Sequence, residues 1–457
     1  MTDLDLIADV LVAGGGPAGA WAAVKAAESG ADVVLVDKGY LGTSGATAAA
    51  GTGVWYVDPD PARRSGVRVL DHSPVTELLV DADGAGAGAA GHRRQHGHSY
   101  RVRAGAVVLA TGGCAFLSKA LGCDVNTGDG ALFAAETGAE LSGMEFSNAY
   151  AIAPEFTSVT KTAFYSYATF YHADGSVLEG AGSTRGRSVI ARALLSERVF
   201  CRLDQAGEGI RQAMRLAQPN FFLPFDRQGI DPFTELFPVT LLAEGTVRGT
   251  GGIRLTGYDC ATSVPGLYAA GDTATREPIC GGFTGGGSHN AAWAMSSGTW
   301  AGQAAARHAR ALGARAATRA VRGAGGAGLR PTGGDRAGHR EIIDAVQAEV
   351  LPYEKNYLRH GDRLAPALAS LDETWKRARH GLRADGPDVV RARSAAAMAA
   401  HARWMYASAL ARTESRGMHK RADHPGSDPA QHHRLISGGL DEVWVLPETG
   451  WPLAVAS

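Results

Sequence analysis

The chain is 457 residues long and carries 45 Lys and Arg against 46 Asp and Glu, enough for two or three domains around a sizeable core and too balanced in charge to favour nucleic acid or an anionic membrane. Five cysteines with no Cys-x-x-Cys pair argue against a disulfide framework and against an iron–sulfur or zinc centre, so no metal is expected. The acidic start "MTDLDLIADV" argues against a signal peptide, and no apolar run reaches the length of a transmembrane segment; the expectation is a soluble, cytoplasmic protein.

The stretch "ADVLVAGGGPAGA" (8–20) is a short apolar run that breaks into glycines and then turns helical. Asp9 to Ala13 reads as a buried parallel strand, with Gly14-x-Gly16-x-x-Gly19 as the turn after it. In such a turn Gly14 permits the bend, Gly16 lets a phosphate approach the backbone, and Gly19 lets helix and strand pack closely. The free N–H groups and positive end of the helix then face a pyrophosphate. The helix stops at Gly30, and "ADVVLVDK" is a second strand ending at Asp37, placed to accept from a ribose hydroxyl. Strand, glycines, helix, strand and acid in this order predict a dinucleotide site.

Further on, "GVRVLDHSPVTELLV" (66–80) reads as two short strands around a Ser-Pro turn, "DADGAGAGAAG" as a hairpin tip, and "SYRVRAGAVVLATGG" as returning strands. A helix is predicted in "TGDGALFAAETGAEL", opened by Asp129 and closed by Gly138. Residues 145–245 hold most of the aromatics and no glycine fingerprint, which suggests an inserted substrate domain. "GLYAAGD" (266–272) returns to strand-then-glycine, followed by a helix from about residue 288. Residues 311–336 read as a linker or frayed helix end, and 337–412 carry apolar faces at helical spacing.

Three glycine sites, at 14–19, in "VVLATGG" and in "GLYAAGD", together with "TSGATAAAGTG", "TGDGALFAAETGAELSGMEF", "GGI...TSVPGLYAAGD" and "ARTESRGMHKRADHP", run in one order from residue 9 to about 428. In this the chain resembles the succinate dehydrogenase/fumarate reductase flavoprotein family, which includes L-aspartate oxidase and the adenylylsulfate reductase flavoprotein subunit. The resemblance implies FAD. It gives the pyrophosphate to Gly14, Gly16, Pro17, Ala18 and Gly19, and the adenosine ribose to Asp37 and Lys38. Ser44, Gly45, Thr47 and Gly51 would lie along the flavin and its phosphates. Val75 would bracket the adenine, while Ala110, Thr111 and Gly112 would close over the pyrophosphate. Asp129, with Gly271 and Asp272, would bond the ribityl part. The last flavin helix, with Asn290 and Ala291 near its start, would point its N-terminus at the flavin and steady negative charge on the reduced ring.

The chain also departs from that family. Its small-residue segment Ser44-Gly45-Ala46-Thr47 lacks the histidine to which the dicarboxylate enzymes attach FAD, so the cofactor is expected to be non-covalent. Two substrate histidines are replaced in "EFSNAYAIAP" and "EGTVRGTGG", and the substrate arginine of an "NR" pair falls near Gly285. A dicarboxylate needs charge-assisted partners at both ends, so succinate or fumarate is not the expected substrate. The glycine- and serine-rich approach to the last flavin helix resembles the adenylylsulfate reductase branch. The remaining candidates for substrate chemistry are Arg248, just before "GTGG"; Arg185 or Arg187 in "GSTRGRS", which could equally be surface ion pairs; and His289, which could equally cap the helix. His92, His96 and His98 read as solvated loop residues rather than metal ligands. Between Trp55 and Val67 the chain has only "YVDPDPARRSG", where the family carries a longer helical excursion.

The expected fold class is α/β: a Rossmann-like FAD-binding domain (1–144 and 246–310), an inserted α+β capping domain (145–245) and a helical C-terminal domain (337–457). The expected function is an FAD-dependent oxidoreductase acting on a small anionic or carbonyl substrate, with a redox partner or a homo-oligomer left open. The alternative is a flavin-binding subunit for electron transfer or assembly, impaired in catalysis by the short 56–66 segment.

Overall fold

The computed structural model describes residues 4–43, 45–49, 65–160, 162–284 and 287–448. The first sheet contains β1 (Leu4–Ala13), β2 (Val33–Val36), β3 (Arg68–Leu70), β4 (Val75–Val80), β5 (Gly86–Arg93) and β6 (His98–Leu109). The next strands are β7 (Leu141–Ser142), β8 (Ala149–Pro154), β9 (Thr169–Tyr171), β10 (Val199–Arg202), β11 (Phe237–Glu244) and β12 (Gly252–Ile253). The last four are β13 (Leu267–Ala269), β14 (Arg322–Gly323), β15 (Leu435–Gly438) and β16 (Trp444–Pro447).

The first sheet runs β14-β4-β5-β6-β1-β2-β3, with β13 beside β6. β1 pairs in parallel with both β2 and β6, and β2 with β3. β6 is shared lengthwise: its first half pairs antiparallel with β5, and Val107–Leu109 pair in parallel with β13. The apolar runs of β1, β2 and the end of β6 are fully buried, as expected for strands covered on both faces. Helices Pro17–Glu28 and Gly287–Leu312 cross at backbone contact. A Cβ at Gly298 would stand 2.3 Å from the Ala18 carbonyl oxygen, and one at Gly302 2.2 Å from that of Ala22, so glycine is the residue that allows this approach.

The structure corrects three expectations. "DADGAGAGAAG" is not one hairpin tip: the turn is confined to 81–85, and from Gly86 the chain is the mostly buried strand β5. Its small residues serve close packing, since a Cβ at Gly88 would fall 2.0 Å from the Val102 carbonyl oxygen. His92 lies in β5 and is buried, not solvated. Residues 311–336 are no loose linker. They hold a short helix, Arg315–Thr318, and β14, which pairs antiparallel with β4. Arg319 pins them by donating to Asp81, 2.6 Å away, and to the carbonyls of Gly86, Ala104 and Gly105.

The aromatic-rich middle of the chain builds its own antiparallel sheet, β8-β11-β10-β9. Its core gathers Phe164, Phe170, Phe221, Phe222, Phe225 and Phe237. Helices His339–Val350, Gly361–Gly381 and Val389–Ala411 pack a third core around Trp375, Trp404 and Tyr406. After residue 411 the chain holds one short 3-10 turn, Pro429–Gln431, among the described residues, and returns as β15 and β16 to join β7 in the sheet β12-β7-β15-β16. Among the described residues no helix is long and apolar enough to cross a membrane.

Candidate functional site: a glycine-floored cleft

The three glycines after β1 play different parts. Gly14 has φ +111°, and a Cβ there would lie 2.2 Å from the Ala110 carbonyl oxygen. A Cβ at Gly19 would lie 1.7 Å from the Gly14 carbonyl oxygen, so Gly19 fixes the approach of helix to turn. Gly16 has φ −73° and nothing within 4 Å of its Cβ position. It opens onto a cleft of about 1170 Å³. Helix Pro17–Glu28 begins there with no side-chain cap, which leaves its first N–H groups for an anionic ligand. Asp37 closes the turn: its carboxylate accepts from Gly15 N at 2.5 Å and Gly39 N at 2.7 Å while lining the cleft.

The cleft gathers most of the residues singled out from the sequence. Gly14, Gly16, Pro17, Ala18, Asp37, Lys38 and Val75 line it. Ala110, Thr111, Gly112 and Asp129 also line it, as do Gly45, Thr47, Gly271, Asp272, Asn290 and Ala291. Ser44, Gly51 and residues 56–64 lie outside the described residues. Asp129 forms an ion pair with Lys38 at 3.1 Å and accepts from Thr127 Oγ1 at 2.9 Å and Ser394 Oγ at 3.2 Å. The C-terminal helices thus reach the same wall.

An FAD-sized dinucleotide fits this donor set. The Gly16 face is open where a backbone must meet a pyrophosphate, and Asn290 Oδ1 is buried without a partner at the start of helix Gly287–Leu312. A buried amide oxygen left unpaired is costly, so a ligand donor is the expected partner.

Arg248 ends the short helix Gly245–Arg248 and lines the cleft. Its Nε stands 3.5 Å from Glu244 Oε2, and the Glu244 side chain, 1% exposed, accepts from Thr160 Oγ1 at 2.7 Å. Arg185 and His289 do not line the cleft, and both are exposed. Arg187, two residues on, turns inward and donates to the carbonyls of Tyr150 (2.9 Å) and Ser183 (2.7 Å). Burial lowers its pKa, and the Arg248 charge nearby adds to that. The histidines in the cleft wall are His72 and His339, and neither belongs to 145–154 or 244–252. Among the described residues no three His, Cys, Asp or Glu side chains gather as metal ligands would.

Several buried charged groups carried no sequence signal. Arg276 is 1% exposed and reaches Asp272 and the carbonyls of Thr246, Val247 and Gly249, on both sides of Arg248. His401, on helix Val389–Ala411, is fully buried beside Thr246; burial pushes it down to about 3, so it is neutral. The segment "ARTESRGMHKRADHP" folds onto "GMEF": Arg412 donates to Glu145 Oε1 at 2.7 Å and to Glu414 at 3.0 Å. Arg359 adds bonds to the Glu145 carbonyl and to His419 Nδ1 at 2.8 Å. Burial and the surrounding arginines hold His419 well below the usual histidine range. A sequence cannot separate such buried groups from surface ones, because burial depends on packing between distant segments: Arg359 meets His419 across 60 positions and Arg412 meets Glu145 across 267.

Comparison with known proteins agrees with this geometry. Two family models match: an FAD binding domain over residues 9–65 and 59–154, and a fumarate reductase flavoprotein C-terminal region over 349–438. The fumarate reductase flavoprotein subunit of Mycobacterium tuberculosis is 27% identical over 470 aligned positions, covering 85% of this chain and 74% of that protein. The L-aspartate oxidase of Streptomyces coelicolor is 30% identical over 235, which spans 47% of this chain and 40% of that protein. In fold, the FrdA chain of E. coli quinol fumarate reductase superposes with a TM-score of 0.77 at 20% identity, covering 99% of this chain and 98% of that one. The chain belongs to the FAD-binding succinate dehydrogenase/fumarate reductase flavoprotein family.

Proposed function

We propose that the chain is an FAD-dependent oxidoreductase that exchanges a hydride or electron pair with a small substrate bearing one anionic or carbonyl group. The observation that carries this reading is the placement of Arg248 in the wall of the same cleft as the FAD-binding residues. FAD, when bound, supplies the electron-pair chemistry. Gly14, Gly16 and the open end of helix Pro17–Glu28 would hold its pyrophosphate, Asp37 and Lys38 its adenosine ribose, and Asp272 and Asn290 its flavin side. The N-terminus of helix Gly287–Leu312 favours negative charge beside it. Arg248 binds and orients the substrate anion, and Glu244, itself held by Thr160, fixes that guanidinium.

We read residues 1–144 and 246–310 as the FAD-binding part, 145–245 as a cap over the substrate, and 337–457 as the C-terminal part. The cofactor is non-covalent, since no histidine stands in 44–47. Five free cysteines fit a reducing, cytoplasmic setting. A redox partner is the second reading, favoured because the matched M. tuberculosis protein is named a subunit. Anaerobic titration of the purified protein with small monoanions and carbonyl compounds separates the two. Bleaching or reoxidation of the flavin by a substrate supports the enzyme; a flavin that responds to dithionite alone overturns it.

A further inference from the structure

Arg276 belongs to none of the motifs that point to the site, yet it is among the largest fully buried side chains. A guanidinium removed from water needs most of its donors matched; both terminal nitrogens of Arg276 are matched, while Nε is buried without a partner among the described residues. Here the partners come from two places. On one side is Asp272, four residues earlier, 22% exposed and lining the cleft. On the other are the carbonyl of Gly249, that of Val247 at 3.2 and 3.3 Å, and that of Thr246 at 3.4 Å. These three belong to the turn that carries Arg248. The backbone strengthens the link, since Arg276 N donates to the Thr250 carbonyl at 2.8 Å. One planar cation therefore bridges the carboxylate on the FAD wall and the support of the substrate arginine.

We propose that Arg276 is a positioning residue that couples the two halves of the cleft, so that occupancy of the FAD wall at Asp272 sets the turn of Arg248 and strengthens anion binding there. The proposal rests on the reading of Arg248 as the substrate cation. A ligand that orients the Asp272 carboxylate orients Arg276, and through it the 246–249 carbonyls. Because binding linkage is reciprocal, an anion on Arg248 must tighten FAD by the same factor. Lysine cannot replace Arg276 in this role: one ammonium cannot span a carboxylate and three carbonyls as a planar fork does.

The test uses acetate as the anion probe. FAD affinity of flavin-stripped protein is measured by fluorescence quenching with and without acetate, and acetate affinity of the FAD-loaded protein by perturbation of its visible band. The wild type should bind FAD about 5-fold or more tighter with acetate present, and Arg276→Lys should bring that ratio to near one. A merely structural role predicts a lowered melting temperature with the ratio intact, which overturns the proposal, as does a wild-type ratio of one. A cycle with Asp272→Asn gives a second readout: the losses in FAD affinity should be strongly non-additive with Arg276→Lys, and additive losses count against it. Arg248→Ala separates the two readings. Unchanged acetate affinity in that variant, or no acetate binding by the wild type, removes Arg248 as the anion site, whereas the cycle at Asp272 judges Arg276 alone.

Discussion

Gly16 and Gly19 stand three residues apart in one motif, and alanine at each should have opposite consequences. At Gly19 the new Cβ would lie 1.7 Å from the Gly14 carbonyl oxygen and 2.9 Å from its carbon. Neither atom can yield without moving the turn off β1, so Gly19→Ala should cost more than about 3 kcal/mol of stability, the upper end of ordinary overpacking. At Gly16 the backbone has φ −73° and ψ −179°, which any residue adopts, and nothing lies within 4 Å of the added methyl. Alanine is a poorer helix N-cap than glycine by about 1 kcal/mol, but the stiffer unfolded chain returns about 0.4–1 kcal/mol. The FAD-free fold should thus change by less than about 1 kcal/mol. The same methyl projects where a pyrophosphate would meet the backbone, at a cost of about 1–3 kcal/mol, or roughly 5- to 150-fold in FAD affinity. Urea unfolding of the flavin-stripped proteins and FAD titration by fluorescence read the two quantities separately. A Gly16→Ala protein that binds FAD as tightly as wild type, or that loses as much stability as Gly19→Ala, would refute the assignment.

Acid or heat should release a yellow supernatant whose flavin identifies as FAD; colour retained on the precipitated chain would mean a covalent link and a wrong reading of 44–47. Arg187→Ala should lower stability by about 1.5–3 kcal/mol, because two charge-assisted bonds to backbone carbonyls are lost, while Arg185→Ala at an exposed position should stay within about 0.5 kcal/mol; equal effects in urea unfolding would contradict the placement of both. Glu277 is buried beside Glu145, and burial, with that neighbouring charge, raises it from 4.5 to about 7. A raised folded-state pKa favours the fold below about pH 4.5, and that contribution is lost as pH rises to about 7, a difference of about 3 kcal/mol. Glu277→Gln should therefore flatten the fall of melting temperature between pH 4.5 and 7; an unchanged pH profile would show that Glu277 ionises normally in the folded protein.

What was legible in the sequence was local. The strand–glycine–helix–strand–acid order placed Gly14, Gly16 and Asp37 around one cleft because their spacing is a property of a single βαβ unit. Arg248 was singled out only through the family resemblance, which sets its segment over the flavin, and its side chain lines the same cleft. Composition misled at 86–91, where glycines that look like a turn are small because β6 and the backbone at Pro74 and Gly266 crowd them. It misled again at 311–336, where Arg319 and β14 stitch an apparent linker to the sheet. Arg187 and Arg185 could not be ranked without knowing which faces Tyr150. Arg276 and His401 were invisible, since burial is a property of the packed molecule and neither residue type announces it.

The central claim, that Arg248 holds a substrate against a non-covalent FAD in this cleft, is tested most directly by the rate of the flavin half-reaction in wild type and Arg248→Ala. The measurement is made anaerobically and expressed per bound FAD, with melting temperatures taken on the same preparations. Arg248→Ala should keep its FAD and its fold but lose about 3 kcal/mol of transition-state stabilisation, a rate fall of roughly 100-fold, with Arg248→Lys recovering only part. An unchanged rate with a lowered melting temperature would make the Arg248–Glu244 pair a structural contact and remove Arg248 from the active site.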